Sequence, residues 1–200
     1  MIDTYKTVKG SAEGLYKDKG SKFISFINHV ESEAEIKAHL EEIRKKYFDA
    51  RHHCYAYILG PEGKDYRAND DGEPSGTAGR PIHGQLVSFG LTNTLIIVVR
   101  YFGGILLGTS GLITAYKEAA RDAIQNATIV EKTINDTFEV HFDYPRMNDV
   151  MRVLKEYQIS PGALQCGSDC QLEISIRKSL SERCSTQLRK IYGVEINKIS

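Results

Sequence analysis

Between Arg51 and Gly111 the sequence crowds together residue types that bind or transform a charged ligand. The densest stretch runs Asp70-Asp71-Gly72-Glu73-Pro74-Ser75-Gly76-Thr77-Ala78-Gly79-Arg80-Pro81. Its three carboxylates, Asp70, Asp71 and Glu73, are hard oxygen donors of the kind that hold Mg²⁺. Its glycines let successive backbone N–H groups converge on an anion, and Arg80 with a following helix N-terminus adds positive potential. The loop is not a Walker A motif, because no Gly-Lys-Ser/Thr closes it. Nor is it an EF-hand: counting back from Gly72, Arg67 falls where the first ligand belongs. A plain surface turn is the alternative reading.

A second stretch, Arg100-Tyr101-Phe102-Gly103-Gly104, ends an apolar run and leads through Gly108-Thr109-Ser110-Gly111 into a helix. Strand, glycine turn and helix N-terminus together form a phosphate-binding geometry. Thr109 and Ser110 add hydroxyl donors, and Tyr101 or Phe102 can stack on a base. The same glycines equally suit close helix–strand packing, with the aromatics in the core. The third stretch is Arg51-His52-His53-Cys54-Tyr55. On a strand His52 and Cys54 face one way and His53 the other, so the three cannot chelate one metal. Cys54 is either a small core residue or a nucleophile partnered by a histidine such as His83. Cys166 and Cys170 have C-x-x-x-C spacing, but structural zinc wants four ligands and no second pair exists. No catalytic residue is assigned.

The elements that must position these residues are legible from periodicity. Strands are predicted over Thr4–Val8, Glu13–Lys17, Lys22–Val30, His53–Leu59 and Thr94–Val99. Ser32 and Glu35 form a capping-box pair for a helix whose buried face is Ile36, Leu40, Ile43 and Tyr47. Pro81 suits the first turn of a short helix to Phe89. Leu112–Asn126 carries the stripe Leu112, Ala115, Tyr116, Ala119, Ala123 and Ile124. Farther on come a strand around Phe138–Phe142, a helix from Tyr144 to Tyr157, and strands near Ala163–Cys166 and Gln171–Arg177. A helix over Ser181–Tyr192 and a strand over Val194–Ile199 follow, with Gly193 as C-cap between them. The order βαββαβ is the split-βαβ, ferredoxin-like arrangement. Two α+β domains are therefore expected, 1–133 and 134–200.

Charge narrows the partner. Lys plus Arg and Asp plus Glu each number 26. A protein that grips duplex DNA through phosphates carries a basic excess, so general duplex binding is disfavoured and a local basic pocket is what remains. The N-terminus has no apolar secretory core, and the longest apolar run, Leu95–Val99, is far short of the ~20 residues that span a bilayer. A cytoplasmic protein without membrane attachment, with its four cysteines as free thiols, is the expectation.

The loop Asp70–Ile82, followed by Val98-Val99-Arg100-Tyr101-Phe102-Gly103-Gly104 and Leu107-Gly108, resembles the IMPACT family in its bacterial, YigZ-like branch. Ser21-Lys22-Phe23-Ile24 and His52-His53-Cys54-Tyr55-Ala56-Tyr57 fit the same pattern. The resemblance spans roughly residues 5–125. It implies a first domain folded like the second domain of small-subunit ribosomal protein five, also found in elongation factor G and small-molecule kinases. It implies a ferredoxin-like second domain similar to one in elongation factor G. Eukaryotic members regulate translation initiation, with an additional N-terminal interaction domain. Many bacterial relatives have Lys where this chain has Leu106, a glycine pair at Ser110-Gly111, and Arg at Thr114, so two cations of the family pattern are missing here.

The resulting expectation is a non-catalytic binding protein that touches RNA, ribosomes or translation factors. Arg51, His52, Arg80, Arg100 and Tyr101 would meet phosphates and bases, with Gly103, Gly104 and Gly108 shaping the turn and Lys22 and Lys117 nearby. The alternative is a Mg²⁺-dependent enzyme or binder of a phosphorylated small molecule, held by Asp70, Asp71 and Glu73. Both are argued from Arg80 and Arg100 converging on one pocket for negative charge.

Overall fold

The computed structural model describes residues 3–199. They form two units, Tyr5–Lys132 and a second made of 3–4 with 133–199. The chain is α+β.

The first unit contains β1 (Thr4–Val8), β2 (Ser11–Asp18), β3 (Ser21–His29), α1 (Glu33–Lys46), β4 (His52–Leu59), β5 (Asp65–Asn69), α2 (Gly79–Phe89), β6 (Thr94–Tyr101), α3 (Gly108–Asn126) and β7 (Ile129–Thr133). Five strands make an antiparallel sheet in the order β2-β3-β6-β4-β5, and β1 pairs with β7 separately. The central strands β4 and β6 are buried on both faces, so they read as continuous apolar runs. On one face Phe26, Val30, Tyr55, Leu95 and Ile97 pack on Ile36, Leu40 and Ile43 of α1. On the other, Phe23, Ile27, Cys54, Ala56, Ile96 and Val98 pack on Ile82 and Leu86 of α2 and on Leu112, Tyr116 and Ala119 of α3. The start of α1 is set by Ser32, whose Oγ accepts from Glu35 N at 3.3 Å, while the Glu35 carboxylate accepts from Glu31 N at 2.8 Å.

Sequence periodicity does not predict two of the strands, β5 and β7. β5 is an edge strand with Asp65, Tyr66, Arg67 and Ala68 all exposed, so it shows no apolar alternation. Two helices begin earlier than predicted: α2 at Gly79 rather than Pro81, and α3 at Gly108 rather than Leu112. Thr109, Ser110 and Gly111 are thus the first turn of a helix and not part of a loop.

The second unit contains β8 (Asn135–Phe142), a 3₁₀ turn (Tyr144–Arg146), α4 (Met147–Glu156), β9 (Pro161–Cys166), β10 (Cys170–Arg177), α5 (Lys178–Arg189) and β11 (Val194–Lys198). Its sheet is antiparallel in the order β11-β8-β10-β9. Phe138, Val140, Phe142, Leu172, Ile174, Ile176 and Ile196 face Val150, Leu154, Cys184 and Leu188 of the two helices. The expectation of four free thiols holds for Cys54 and Cys184, which are free and buried, and is corrected for the other two. Cys166 and Cys170 are joined in a disulfide, because antiparallel register sets them opposite one another with Cα atoms 4.2 Å apart. Among the described residues no helix is long and apolar enough to cross a membrane.

Candidate functional site

The loop between β5 and α2 folds back on the sheet through its own acids. Asp70 accepts three backbone N–H bonds, from Gly76 at 2.8 Å, Ala78 at 3.0 Å and Gly79 at 2.8 Å. These N–H groups lead into α2, so the anion at this helix N-terminus is the protein's own carboxylate. Burial pushes the Asp70 carboxyl up, but the three N–H bonds and nearby Arg80 outweigh it and hold the group below the ordinary carboxylate range. The capping also explains the early start of α2: the first turn is satisfied before Pro81 is reached. Gly79 is obligatory, because a Cβ there would lie 2.5 Å from Asn69 N in β5.

Asp71 turns the opposite way, toward β4 and α1. Its Oδ2 accepts from His53 N at 2.7 Å and its Oδ1 from Arg44 at 3.4 Å, while its carbonyl accepts from His52 Nδ1 at 2.9 Å. Glu73 turns inward and is nearly inaccessible. Its Oε1 accepts from Arg100 Nη1 at 2.6 Å and from the Tyr116 hydroxyl at 2.7 Å. The Cys54 thiol lies 3.3 Å from that hydroxyl and 2.9 Å from the Asp70 carbonyl. Burial drives both the Cys54 thiol and the Tyr116 hydroxyl strongly upward, so neither is a ready nucleophile or base at neutral pH. The Arg100 guanidinium is flanked by Phe23 and Phe102, with ring centroids 5.5 and 5.7 Å away.

The structure places the residues singled out from sequence in three groups. His52 and Arg100 are register partners on the face that packs α2 and α3, next to Glu73 and Gly72. Arg100 is only 7% exposed and its charge is met by Glu73, which removes it from contact with an external phosphate. Tyr101, the next residue, points to the α1 face and donates to Asp49 at 2.6 Å, a contact that pushes its hydroxyl up to about 12. Arg51, Arg80, Gly103, Gly104 and Gly108 are exposed, as are Lys22 and Lys117. Arg80 and Arg100 therefore do not form one solvent-facing pair. The three acids also diverge, each bonded to a different part of the fold, and among the described residues no group of three or more His, Cys, Asp or Glu is arranged to hold a metal. His83 stacks on Tyr66 at 4.6 Å, away from the partners of Cys54.

Helical periodicity places Tyr116 only in a core stripe, whereas its hydroxyl joins the network with Glu73 and Cys54. The signal lay in its type: a tyrosine among alanines on a buried helix face brings a hydroxyl that needs a partner.

The Impact N-terminal domain matches residues 19–124, a span that runs from the β2–β3 turn to the end of α3 and takes in the whole of this network. This chain belongs to the IMPACT family. It is 36% identical over 158 residues to the IMPACT family member YvyE of Bacillus subtilis (strain 168), covering 79% of this chain and 73% of that protein. It is 37% identical over 138 residues to the IMPACT family member YigZ of Escherichia coli (strain K12), covering 68% of each. The crystal structure of a hypothetical protein superposes with a TM-score of 0.73 at 27% identity, covering 100% of this chain and 99% of the other.

In this IMPACT family chain the Asp70 cap is expected to govern acid stability. A carboxylate whose folded pKa lies below its unfolded value stabilises the fold above the unfolded pKa and ceases to do so as pH falls through the folded one. Asp70→Asn removes that titration and sets an N–H₂ against the Gly76 N–H. The variant is expected to lose on the order of 2 kcal/mol near neutral pH. Urea melts repeated from about pH 6 down to about pH 3 should show the gap from the parent closing. A gap independent of pH would refute the assignment.

Proposed function

We propose that this chain is a non-catalytic binding protein, associated with RNA or the ribosome and linked to the regulation of translation. The observation that carries the reading is the mutual satisfaction of the loop's polar groups. Asp70 serves backbone N–H groups, Glu73 serves Arg100 and Tyr116, and Asp71 serves β4 and α1. That network is a scaffold, and the chemistry it leaves facing solvent is a rim: Arg51 and Arg80, the turn from Phe102 to Leu106, and the first turn of α3. Guanidinium groups, a helix N-terminus without acidic residues in its first turn and an exposed aromatic ring suit phosphates and bases. Membership of the IMPACT family supports the link to translation, in line with what the resemblance implies for its eukaryotic regulators. We read the first unit as the fold of the second domain of ribosomal protein five and the second as ferredoxin-like. The sheet order β11-β8-β10-β9 around a βαββαβ chain supports the latter.

The test is a salt titration of binding to labelled single-stranded RNA, alongside co-sedimentation with ribosomes. Arg51→Ala and Arg80→Ala should each weaken binding across sequences and reduce the salt slope by about 1. Phe102→Ala should cost roughly 1–3 kcal/mol if the ring stacks on a base. A parent that neither binds RNA nor sediments with ribosomes, or variants that match it, would end this reading.

A further inference from the structure

The two sheets differ in what covers them. The sheet of the first unit has helices on both faces, whereas both helices of the second unit pack on one side of its sheet. The other side is solvent-exposed and presents Glu139 and His141 from β8, Gln171 and Glu173 from β10, and Glu195 from β11. Antiparallel register puts Glu139 directly opposite Glu173, and Glu195 directly opposite His141. At one end the surface runs into a cleft of roughly 580 Å³ whose lining adds Asp143 and Asp169.

Charge on this face is unbalanced. His141 bonds Glu139 at 2.8 Å, and the Gln171 amide donates to the same carboxylate. Among the described residues, Glu173, Glu195, Asp143 and Asp169 have no cation within ion-pair distance. Arg177, at the far end of β10, is bonded to Asp3. A chain with 26 residues of each sign thus gathers three glutamates on this open face of the second unit's sheet. Like charges directly opposite across strands work against the sheet, so the arrangement makes sense where an opposite charge arrives from outside.

We propose that this open sheet face docks a lysine- and arginine-rich segment of a partner protein. Charge complementarity selects that occupant over the others. RNA would bring phosphates toward carboxylates, and among the described residues the strands present no Phe, Tyr or Trp on this face, while the ring of His141 is bonded to Glu139. A second copy of the same face would repel the first. The proposal concerns a different unit from the rim of Arg51 and Arg80, so either can fail without the other.

The experiment uses the full chain and a fluorescent, synthetic lysine-rich peptide, with an acidic peptide and a single-stranded RNA as parallel probes. The lysine-rich peptide should bind, with amide shifts on β8, β10 and β11. The triple variant Glu139→Gln, Glu173→Gln, Glu195→Gln should lose roughly tenfold in affinity. Glu41→Gln with Glu42→Gln, exposed on α1, should lose little. Glu173→Gln and Glu195→Gln relieve repulsion while Glu139→Gln gives up its contacts with His141 and Gln171, so a circular-dichroism melt is used to show that the triple variant is folded at the temperature of the binding measurement. No peptide binding, an equal loss in the α1 control, or shifts on this face from the RNA would overturn the proposal. So would self-association of the parent that the triple variant abolishes.

Discussion

Glu73→Ala is expected to destabilise the first unit by about 3–5 kcal/mol. The parent carboxylate is 8% exposed and accepts two short hydrogen bonds through one oxygen, from Arg100 at 2.6 Å and Tyr116 at 2.7 Å. Removing it leaves a guanidinium that cannot deprotonate, buried between Phe23 and Phe102, with Nε already lacking a protein partner. The cost is that of an uncompensated buried charge and not of one lost contact. Replacing both members, Glu73→Leu with Arg100→Met, should recover the part of the loss due to the uncompensated charge, leaving the cost of the Tyr116 hydroxyl's lost acceptor, about 1–3 kcal/mol. Tyr116→Phe, which deletes one donor and keeps the ring, should cost only about 1 kcal/mol. Urea denaturation followed by far-ultraviolet circular dichroism reads all three, the chain having no tryptophan. Equal losses for Glu73→Ala and for the double variant would mean that packing, not charge, governs the site.

The sequence made the framework of both units readable because burial imposes periodicity. The stripes Ile36-Leu40-Ile43 and Leu112-Ala115-Tyr116-Ala119 are buried faces in the structure, and Thr94–Val99 lies in a central strand. What stayed hidden was wherever burial left no pattern. β5 pairs with β4 through its backbone while its side chains face water, so nothing in Asp65–Ala68 alternates. The early start of α2 depends on Asp70, nine residues before Gly79, and no local rule couples residues that far apart.

The candidate site was legible in its composition and not in its wiring. An Asp-Gly-Glu loop with an arginine at the end of a strand suggests an external anion or metal until the partners are known. Strand parity already held part of the answer: Arg100 and Tyr101 are adjacent in β6 and must face opposite ways. Their partners, Glu73 on one face and Asp49 on the other, come from segments distant in sequence. Charges that were counted as available to a ligand turned out to answer one another. That exchange ties the loop's acids into the fold, and in the proposed reading the outward contacts fall to the exposed Arg51, Arg80 and the turn after β6.

The rigidity of that turn leads to the other large expected effect. Gly103→Ala should cost about 4 kcal/mol or more, because a Cβ at that position would lie 1.9 Å from Gly20 C, 2.2 Å from Ser21 N and 2.3 Å from Gly20 O. These are backbone atoms of the β2–β3 turn, which cannot swing aside as a flexible side chain would. Gly103 N also donates to Ser21 Oγ at 3.1 Å, fixing the crossing from the other direction. The neighbouring Gly104 is required for a different reason: its φ is +89°, but nothing lies within 4 Å of its Cβ position. Gly104→Ala should therefore cost only about 1–2 kcal/mol of backbone strain. Thermal or urea melts of the two variants, side by side, distinguish a steric crossing from a conformational preference. If the two glycines tolerate alanine equally, the crossing of Gly103 over Gly20 does not anchor the turn. The exposed segment Phe102–Leu106 would then be a flexible loop, and a rim held in place for a ligand would lose its structural basis.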